Sequence, residues 1–340
     1  MSRQRFLDLL EGFSSHRVGV VGDFLLDQYM LGTTSRVSRE APIVVVDYQD
    51  TVYHPGGAAN AAQNVTAFGA MADAVGVRGD DREGGTLAAL LAGRGVNTGG
   101  LLCEPAAATS TKLRILAGEM NAQKQQVARV DRAHRLRSDD GLRRRLFAAA
   151  ETAIEAADVL LFADYGLGVL GTGMIEHAMA RARLRGIPTV VDSRHRLREF
   201  RGATVATPNE VEAMEALALA SEAELTAPDV LGERVAASGL ANLIVTRGSK
   251  GMVVCGRDAR FESIGIAGSR EATDVTGAGD TVSAVVALSL AAGARLNEAA
   301  RMATYAASVV VMKRGTATAS PDEVRRAIAA GDSDEGAGAR

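Results

Sequence analysis

Short, continuously apolar runs alternate with amphipathic or alanine-rich stretches along the chain, and this predicts an α/β fold with a mostly parallel sheet flanked by helices in three layers. Runs such as 159–163 are apolar throughout, as strands covered on both faces must be. Polar residues, namely Asp23, Asp164, Asp192, Asn209 and Thr246, stand at the ends of the strand-like runs. Ligands of parallel sheets bind outside the carboxyl ends of the strands, so these residues predict where a site lies.

The elements follow in order. Phe6, Leu7, Leu9, Leu10 and Phe13, set among charges, predict a short amphipathic helix. A β-branched run at 18–21 ends at Gly22-Asp23 and reads as the first strand. A second strand is expected at 43–46, with Pro42 marking its start. Residues 58–68 have helical spacing and stop at Gly69, a C-cap. A strand at 72–77 precedes Asp80 and Asp81, and 86–93 is a helix. Residues 111–116 and 125–130 alternate like a hairpin joined by a polar stretch at 117–124. A long helix at 142–157, a strand at 159–163, a helix at 173–185 and a strand at 189–191 continue the alternation. Val205-Ala206 leads into Thr207-Pro208-Asn209, and 243–246 is another buried strand. Residues 281–292 and 297–312 read as consecutive Ala-rich helices.

No Pro- or Ser-rich linker divides the chain, so a single domain is expected over 1–330. Extra strands near 31–55 and 105–132 are expected to form a small β-strand lid. Residues 331–340, rich in Gly, Ala and charge, are expected to be a disordered tail. Aromatics make up only 4% and Trp is absent, so the core must be built from Ala, Val, Leu and Ile. The net charge of −3 gives no reason to expect nucleic acid or an anionic membrane as a partner. Cys103 and Cys255 lie far apart, which suits a reducing compartment and argues against a disulfide framework. The longest uncharged stretch, 281–294, is too short to span a bilayer, and the N-terminus lacks a signal-peptide core. A cytoplasmic location is expected.

Four segments carry candidate chemistry. In Asp274-Val275-Thr276-Gly277-Ala278-Gly279-Asp280, two glycines precede an Ala-rich helix. Successive amides at such a helix start cradle an anion, and Asp280 beside them could accept a proton from an attacking hydroxyl. A glycine turn with a capping Asp is the plainer reading, against which the whole seven-residue string weighs. No dinucleotide fingerprint or Walker sequence is present. Pro55-Gly56-Gly57-Ala58-Ala59-Asn60 opens another helix, and with Asp23 and Asp27 it offers acceptors suited to sugar hydroxyls. Thr207-Pro208-Asn209-Glu210-Val211-Glu212 reads either as a capped helix start or as Asn209 and Glu212 facing phosphates through magnesium and water. Val245-Thr246-Arg247-Gly248 follows a buried strand, where Thr246 and Arg247 could meet nucleotide phosphates.

Together these segments resemble the ribokinase-type (PfkB) carbohydrate kinases over nearly the whole chain, which implies a ribokinase-like fold. Gly22-Asp23, Leu26-Asp27, Thr34 to Ser38 with Glu40-Ala41-Pro42, Thr111-Lys112-Leu113-Arg114, Arg129-Val130-Asp131 and Thr207-Pro208-Asn209 are similar to one branch, the D-glycero-β-D-manno-heptose 7-phosphate kinases. The resemblance implies ATP-dependent phosphorylation of that sugar phosphate at O1, in ADP-heptose biosynthesis, with Mg2+ and K+ as cations. It implies Asp280 as the base, with Gly277, Ala278 and Gly279 as the anion hole. Asp23, Asp27, Gly56, Gly57 and Asn60 would hold the sugar, and Lys112, Arg129 and Arg36 its phosphate. Asn209, Thr246, Arg247 and Gly248 would lie on the nucleotide side. Glu212 would hold magnesium through water, and Asp274 with the loop at 315–320 would form a monovalent-cation region.

Three stretches depart from the branch. Asp192-Ser193-Arg194 replaces Asp-Pro-Lys, Ser38-Arg39-Glu40 replaces Ser-Pro-Glu, and 118–126 is rich in Gln. The chain ends before a nucleotidyltransferase domain, so nucleotide transfer is expected to fall to another protein. A homodimer is expected, because lid strands leave edges that need cover. Alternatives are a kinase of the same fold acting on fructose phosphate, ribose or a nucleoside, and a non-catalytic sugar-binding regulator.

Overall fold

The structure, a computed structural model, describes residues 2–38, 40–119, 124–137, 139–256, 261–269 and 271–335. The first half comprises α1 (Arg3–Gly12), β1 (Arg17–Gly22), β2 (Phe24–Val37), β3 (Val44–Gly57), α2 (Ala58–Ala67), β4 (Met71–Gly79), α3 (Arg82–Gly93), β5 (Asn97–Glu104), β6 (Thr111–Gly118), β7 (Gln125–Arg132) and α4 (Asp140–Ala156). The second comprises β8 (Val159–Asp164), α5 (Thr172–Arg185), β9 (Thr189–Ser193), β10 (Val205–Ala206), α6 (Glu210–Leu217), α7 (Glu222–Leu225), α8 (Pro228–Ser238), β11 (Asn242–Thr246), β12 (Met252–Gly256), β13 (Phe261–Ile264), α9 (Ala278–Ala291), α10 (Leu296–Val310) and α11 (Pro321–Glu335).

The apolar runs become the inner strands of a nine-stranded sheet in the order β13-β12-β11-β10-β9-β8-β1-β4-β5. Pairing is parallel from β11 through to β5, and β12 and β13 add an antiparallel edge. Alternate residues feed opposite cores, as the period of a strand demands. On β8, Val159, Leu161 and Ala163 join the core under α1, α2, α9 and α10, while Leu160 and Phe162 join the core under α4, α5 and α8. Three layers result, and the carboxyl ends of β8 to β11 share one rim of the sheet.

A separate four-stranded sheet, β3-β2-β6-β7, stands at that rim. It contains both stretches expected to form a lid but starts earlier, at Phe24, and the residues at 105–110 are not strand. The strand expected at 43–46 is the opening of a 14-residue β3 that runs through Pro55 to Gly57. Proline is tolerated there because β3 is an edge strand and its missing N–H breaks no ladder. β2 pairs with β3 antiparallel and with β6 parallel, which sets Asp27 beside Lys112 in register. The hairpin of β6 and β7 forms as expected, with Lys112 opposite Asp131.

The tail expected from residue 331 needs correction. Ser320 and Glu323 make reciprocal cap bonds, Val324 and Ile328 are buried, and α11 continues to Glu335. Residues 336–340 lie outside the described residues. Among the described residues, no helix is long and apolar enough to cross a membrane.

Glu298, in the first turn of α10, ties this helix to the N-terminal one. Its carboxylate accepts from the Arg295 amide at 2.8 Å, from Arg295 Nη2 at 3.1 Å and from Arg5 Nε on α1 at 3.3 Å. Burial works upward on its pKa, but the Arg295 and Arg5 bonds outweigh it and hold the carboxyl at about 2. An acid held below its unfolded value adds stability above pH 4.5, and that stability drains away as the pH falls toward 2. Solvent screening of the exposed arginines limits the effect, so Glu298→Gln is expected to cost about 1 kcal/mol at pH 7. Urea unfolding should show the gap between variant and wild type closing below pH 4.5; a gap independent of pH would contradict this reading.

Candidate active site

The turn before α9 is built by Gly277, which adopts φ 78° and ψ 4°. A Cβ there would lie 2.4 Å from Asn60 Nδ2, so both the backbone and the close neighbour require glycine. No side chain caps α9, which leaves first-turn amides without intrahelical acceptors at the positive end of the helix. A Cβ built on Gly279 meets nothing within 4 Å, since that side of the turn is open.

Asp280, also in this first turn, is buried. Its Oδ1 accepts from Tyr165 Oη at 2.6 Å and its Oδ2 from Asn60 Nδ2 at 2.7 Å. Burial pushes the carboxyl up, the Tyr165 and Asn60 bonds pull it down, and the balance leaves it at about 6. It is therefore mostly ionised at neutral pH and basic enough to take a proton.

A cavity of about 330 Å³ lies in front of this turn. The second sheet supplies Asp27, Gly57, Lys112, Arg114 and Arg129. The carboxyl rim of the main sheet supplies Tyr165, Asp192, Arg194, Thr207, Asn209, Glu212 and Thr246. Val275, Thr276, Gly277, Gly279, Asp280 and Thr316 close the far wall. Lys112 is driven down from its usual pKa, by burial and then by Arg194. Asp192 is pushed well up, by burial and then by Asp280 and Glu212; Glu212 is raised mainly by burial. The charges thus divide into a cationic group of Lys112, Arg114 and Arg194 and an acidic group of Asp192, Glu212 and Asp280.

The site residues expected from the sequence separate into several groups. Asp27, Gly57, Lys112, Arg129, Asn209, Glu212, Thr246, Gly277, Gly279 and Asp280 all line the cavity, and Ala278 lies within the same turn. Gly56 stands behind Asp27, leaving room for its carboxylate. Asn60 does not reach the cavity: its amide is spent on Asp280, and its Oδ1 accepts from Gln63 at 2.6 Å and Asn64 at 3.2 Å. Its side chain is engaged within the fold, against Asp280 and the first turns of α2.

Asp23 is likewise corrected. Its carboxylate accepts the amides of Tyr165 at 2.9 Å, Leu167 at 3.0 Å and Val169 at 3.3 Å, so it anchors the loop after β8. Arg247 turns away to pair with Glu210 at 2.8 Å, and Gly248 begins a short 3-10 turn outside the cavity. The side chain of Arg36 lies outside the described residues. Arg129 lines the cavity while bonded to Asp131 at 2.7 Å.

The capped helix start expected for the 207–212 segment forms. Asn209 and Glu212 form a reciprocal capping box at 2.9 Å in each direction, and both still face the cavity. Tyr165, Arg194 and Arg114 have no site role in the sequence reading, and Asp192 is marked there only by its place at a strand end. For Tyr165 the available signal was its place directly after Asp164, at a strand end.

Among the described residues, no group of three or more His, Cys, Asp or Glu side chains could hold a metal ion alone. Asp192 and Glu212 nevertheless suit magnesium, which takes one or two carboxylates and completes its shell with water and substrate phosphates. Asp192 accepts from Ser283 Oγ at 3.4 Å and has the charge of Arg194 nearby. Asp274 is differently used: its carboxylate accepts the amides of Thr276 at 2.9 Å and Gly315 at 2.8 Å. In the loop that follows, Lys313 Nζ donates to Thr318 O at 2.7 Å.

Residues 15–323 match the pfkB family carbohydrate kinase pattern. The chain is 39% identical over 324 residues to the bifunctional protein HldE of Gluconobacter oxydans, covering 94% of this chain and 66% of that protein. It is 37% identical over 313 residues to the bifunctional protein HldE of Azorhizobium caulinodans, covering 92% and 64%. It therefore spans slightly less than two thirds of these relatives' length. Arabidopsis thaliana ribokinase complexed with ribose and ATP has a similar fold, with a TM-score of 0.70 at 19% identity over 92% of this chain and 98% of that one. Escherichia coli phosphofructokinase-2 in complex with potassium gives a TM-score of 0.74 at 19% identity, with the same coverage. The chain belongs to the pfkB family of carbohydrate kinases and has the ribokinase-like α/β fold.

Proposed function

We propose that the chain transfers the terminal phosphoryl group of ATP to O1 of D-glycero-β-D-manno-heptose 7-phosphate, giving the 1,7-bisphosphate in ADP-heptose biosynthesis. The observation that carries this reading is one cavity that holds Asp280, the open first turn of α9 and the cations Lys112, Arg114 and Arg194. A kinase of an unphosphorylated sugar has no need of so many. The HldE relatives and the N-terminal segments support heptose as the sugar.

In this reading Asp280 takes the proton of the acceptor hydroxyl as the phosphorus–oxygen bond forms. The α9 amides receive the charge that develops on the transferred group. Asp27 accepts a sugar hydroxyl. It pairs with Arg114 at 3.2 Å, which holds the carboxylate in place at the cavity wall. Lys112 faces the 7-phosphate, with Arg129 beside it once released from Asp131. Asn209 and Thr246 lie toward the nucleotide. Asp192 and Glu212 would hold magnesium, which neutralises phosphate charge when bound. The second sheet covers the site and excludes water, which limits ATP hydrolysis.

The chain is further read as a cytoplasmic homodimer. Strands β3 and β7 are the open edges of the second sheet, and Tyr48, Val127 and Val130 on them are exposed. Light scattering should give twice the chain mass at micromolar concentration; a monomer would contradict this.

Activity is tested by ADP release on a panel of heptose 7-phosphate, fructose 6-phosphate, ribose and a nucleoside. Turnover should be highest on the heptose phosphate and fall by about 10²–10⁴-fold in Asp280→Asn. Full activity in that variant would remove Asp280 as the base. Lys112→Ala should raise KM for the phosphosugar roughly 10–100-fold with less effect on KM for ATP. Preference for an unphosphorylated sugar would overturn the role of Lys112.

A further inference from the structure

The loop after β8 holds a residue that touches both halves of the charge distribution. Tyr165 lines the cavity, and its hydroxyl donates to Asp280 Oδ1 at 2.6 Å. Two cations lie against its ring: Lys112 Nζ is 4.7 Å from the ring centroid and Arg194 Cζ 4.5 Å. Its amide donates to the buried carboxylate of Asp23, which also takes the amides of Leu167 and Val169. The backbone, the ring and the hydroxyl of Tyr165 are therefore each restrained by a different element: β1 through Asp23 at its end, β6 and the turn after β9 through the cations, and α9 through Asp280.

We propose that Tyr165 is a positioning residue for phosphoryl transfer: its hydroxyl holds the Asp280 carboxylate in place to receive the acceptor proton, and its ring links that carboxylate to Lys112 and Arg194, the cations facing the phosphates. The inference rests on Asp280 being the base. A donor to a carboxylate favours the ionised form, so this hydroxyl offsets part of the effect of burial. The charged groups around the pair are Lys112 from β6, Asp27 from β2, and Asp192 and Arg194 from β9 and the turn after it. Burial first, then Asp280 and Asp192, push the Tyr165 phenol well above its usual pKa, so it stays a donor at every working pH. The arrangement also gives Asp23 a purpose: it fixes the loop from which Tyr165 reaches the base.

Tyr165→Phe keeps the ring and its cations and removes only the hydroxyl. The acid limb of kcat/KM, which reports the free enzyme, should fall near pH 6 in wild type and move up by about one pH unit in Tyr165→Phe. Above the shifted limb the variant should recover to within several-fold of wild type, with KM for ATP little changed. Tyr165→Leu, which removes the ring as well, should add a rise in KM for the phosphosugar. Thermal melting of each variant separates a loss of fold from these effects. An acid limb unmoved in Tyr165→Phe, with Asp280→Asn inactive, overturns the role of Tyr165 alone. Full activity in Asp280→Asn overturns the base reading beneath it.

Discussion

A carboxylate removed from water is held at the first turn of α9 by donors from distant parts of the chain. Asn60 lies 220 positions away and Tyr165 lies 115 away, and each takes one oxygen of Asp280. Asn60 is in turn fixed by Gln63 and Asn64, and Asn64 also accepts from Thr281 at 3.0 Å, so the packing of α2 against α9 is organised around the same group. Raising a carboxyl from 3.8 to about 6 costs roughly 3 kcal/mol of stability at neutral pH. The penalty is full above about pH 6 and disappears as the pH falls toward 3.8. A fold keeps such a group where its chemistry depends on it, and the apolar cores on either side of the main sheet supply the stability that offsets it.

The second sheet matters as much as the turn, because it brings charge to the base. Parallel pairing of β2 with β6 sets Asp27 next to Lys112, and antiparallel pairing of β6 with β7 sets Arg114 opposite Arg129. A slip of one residue in either ladder would turn these side chains to the opposite face and empty the cationic side of the cavity. Lys112 from the second sheet and Arg194 from the rim of the main sheet then meet on the ring of Tyr165.

Much of this was legible in the sequence where the signal was local. The Asp274 to Asp280 string announced a glycine-built helix start, and the apolar runs of β1, β8 and β11 announced buried parallel strands. Partnerships between distant residues were not legible. Nothing in its own neighbourhood marks Asp23 as the anchor of a loop beyond residue 164, or Asn60 as a partner of Asp280. Arg247 was placed at the phosphates by its position after a strand, but Glu210, two positions before Glu212 on α6, draws it off. The opening of β2, before residue 31, escaped notice because it runs through the buried interior, where its residues follow no alternating period. Tyr165 carried only its place after a strand, and its importance comes from what three other elements set around it.

The decisive measurement is a crystal structure with ADP, magnesium, aluminium fluoride and heptose 7-phosphate. The acceptor oxygen is expected within hydrogen-bonding distance of Asp280, with the metal fluoride seated on the amides of the α9 turn and the sugar's own phosphate against Lys112. A sugar bound with no hydroxyl near Asp280, or a fluoride away from that turn, would contradict the mechanism derived from this cavity.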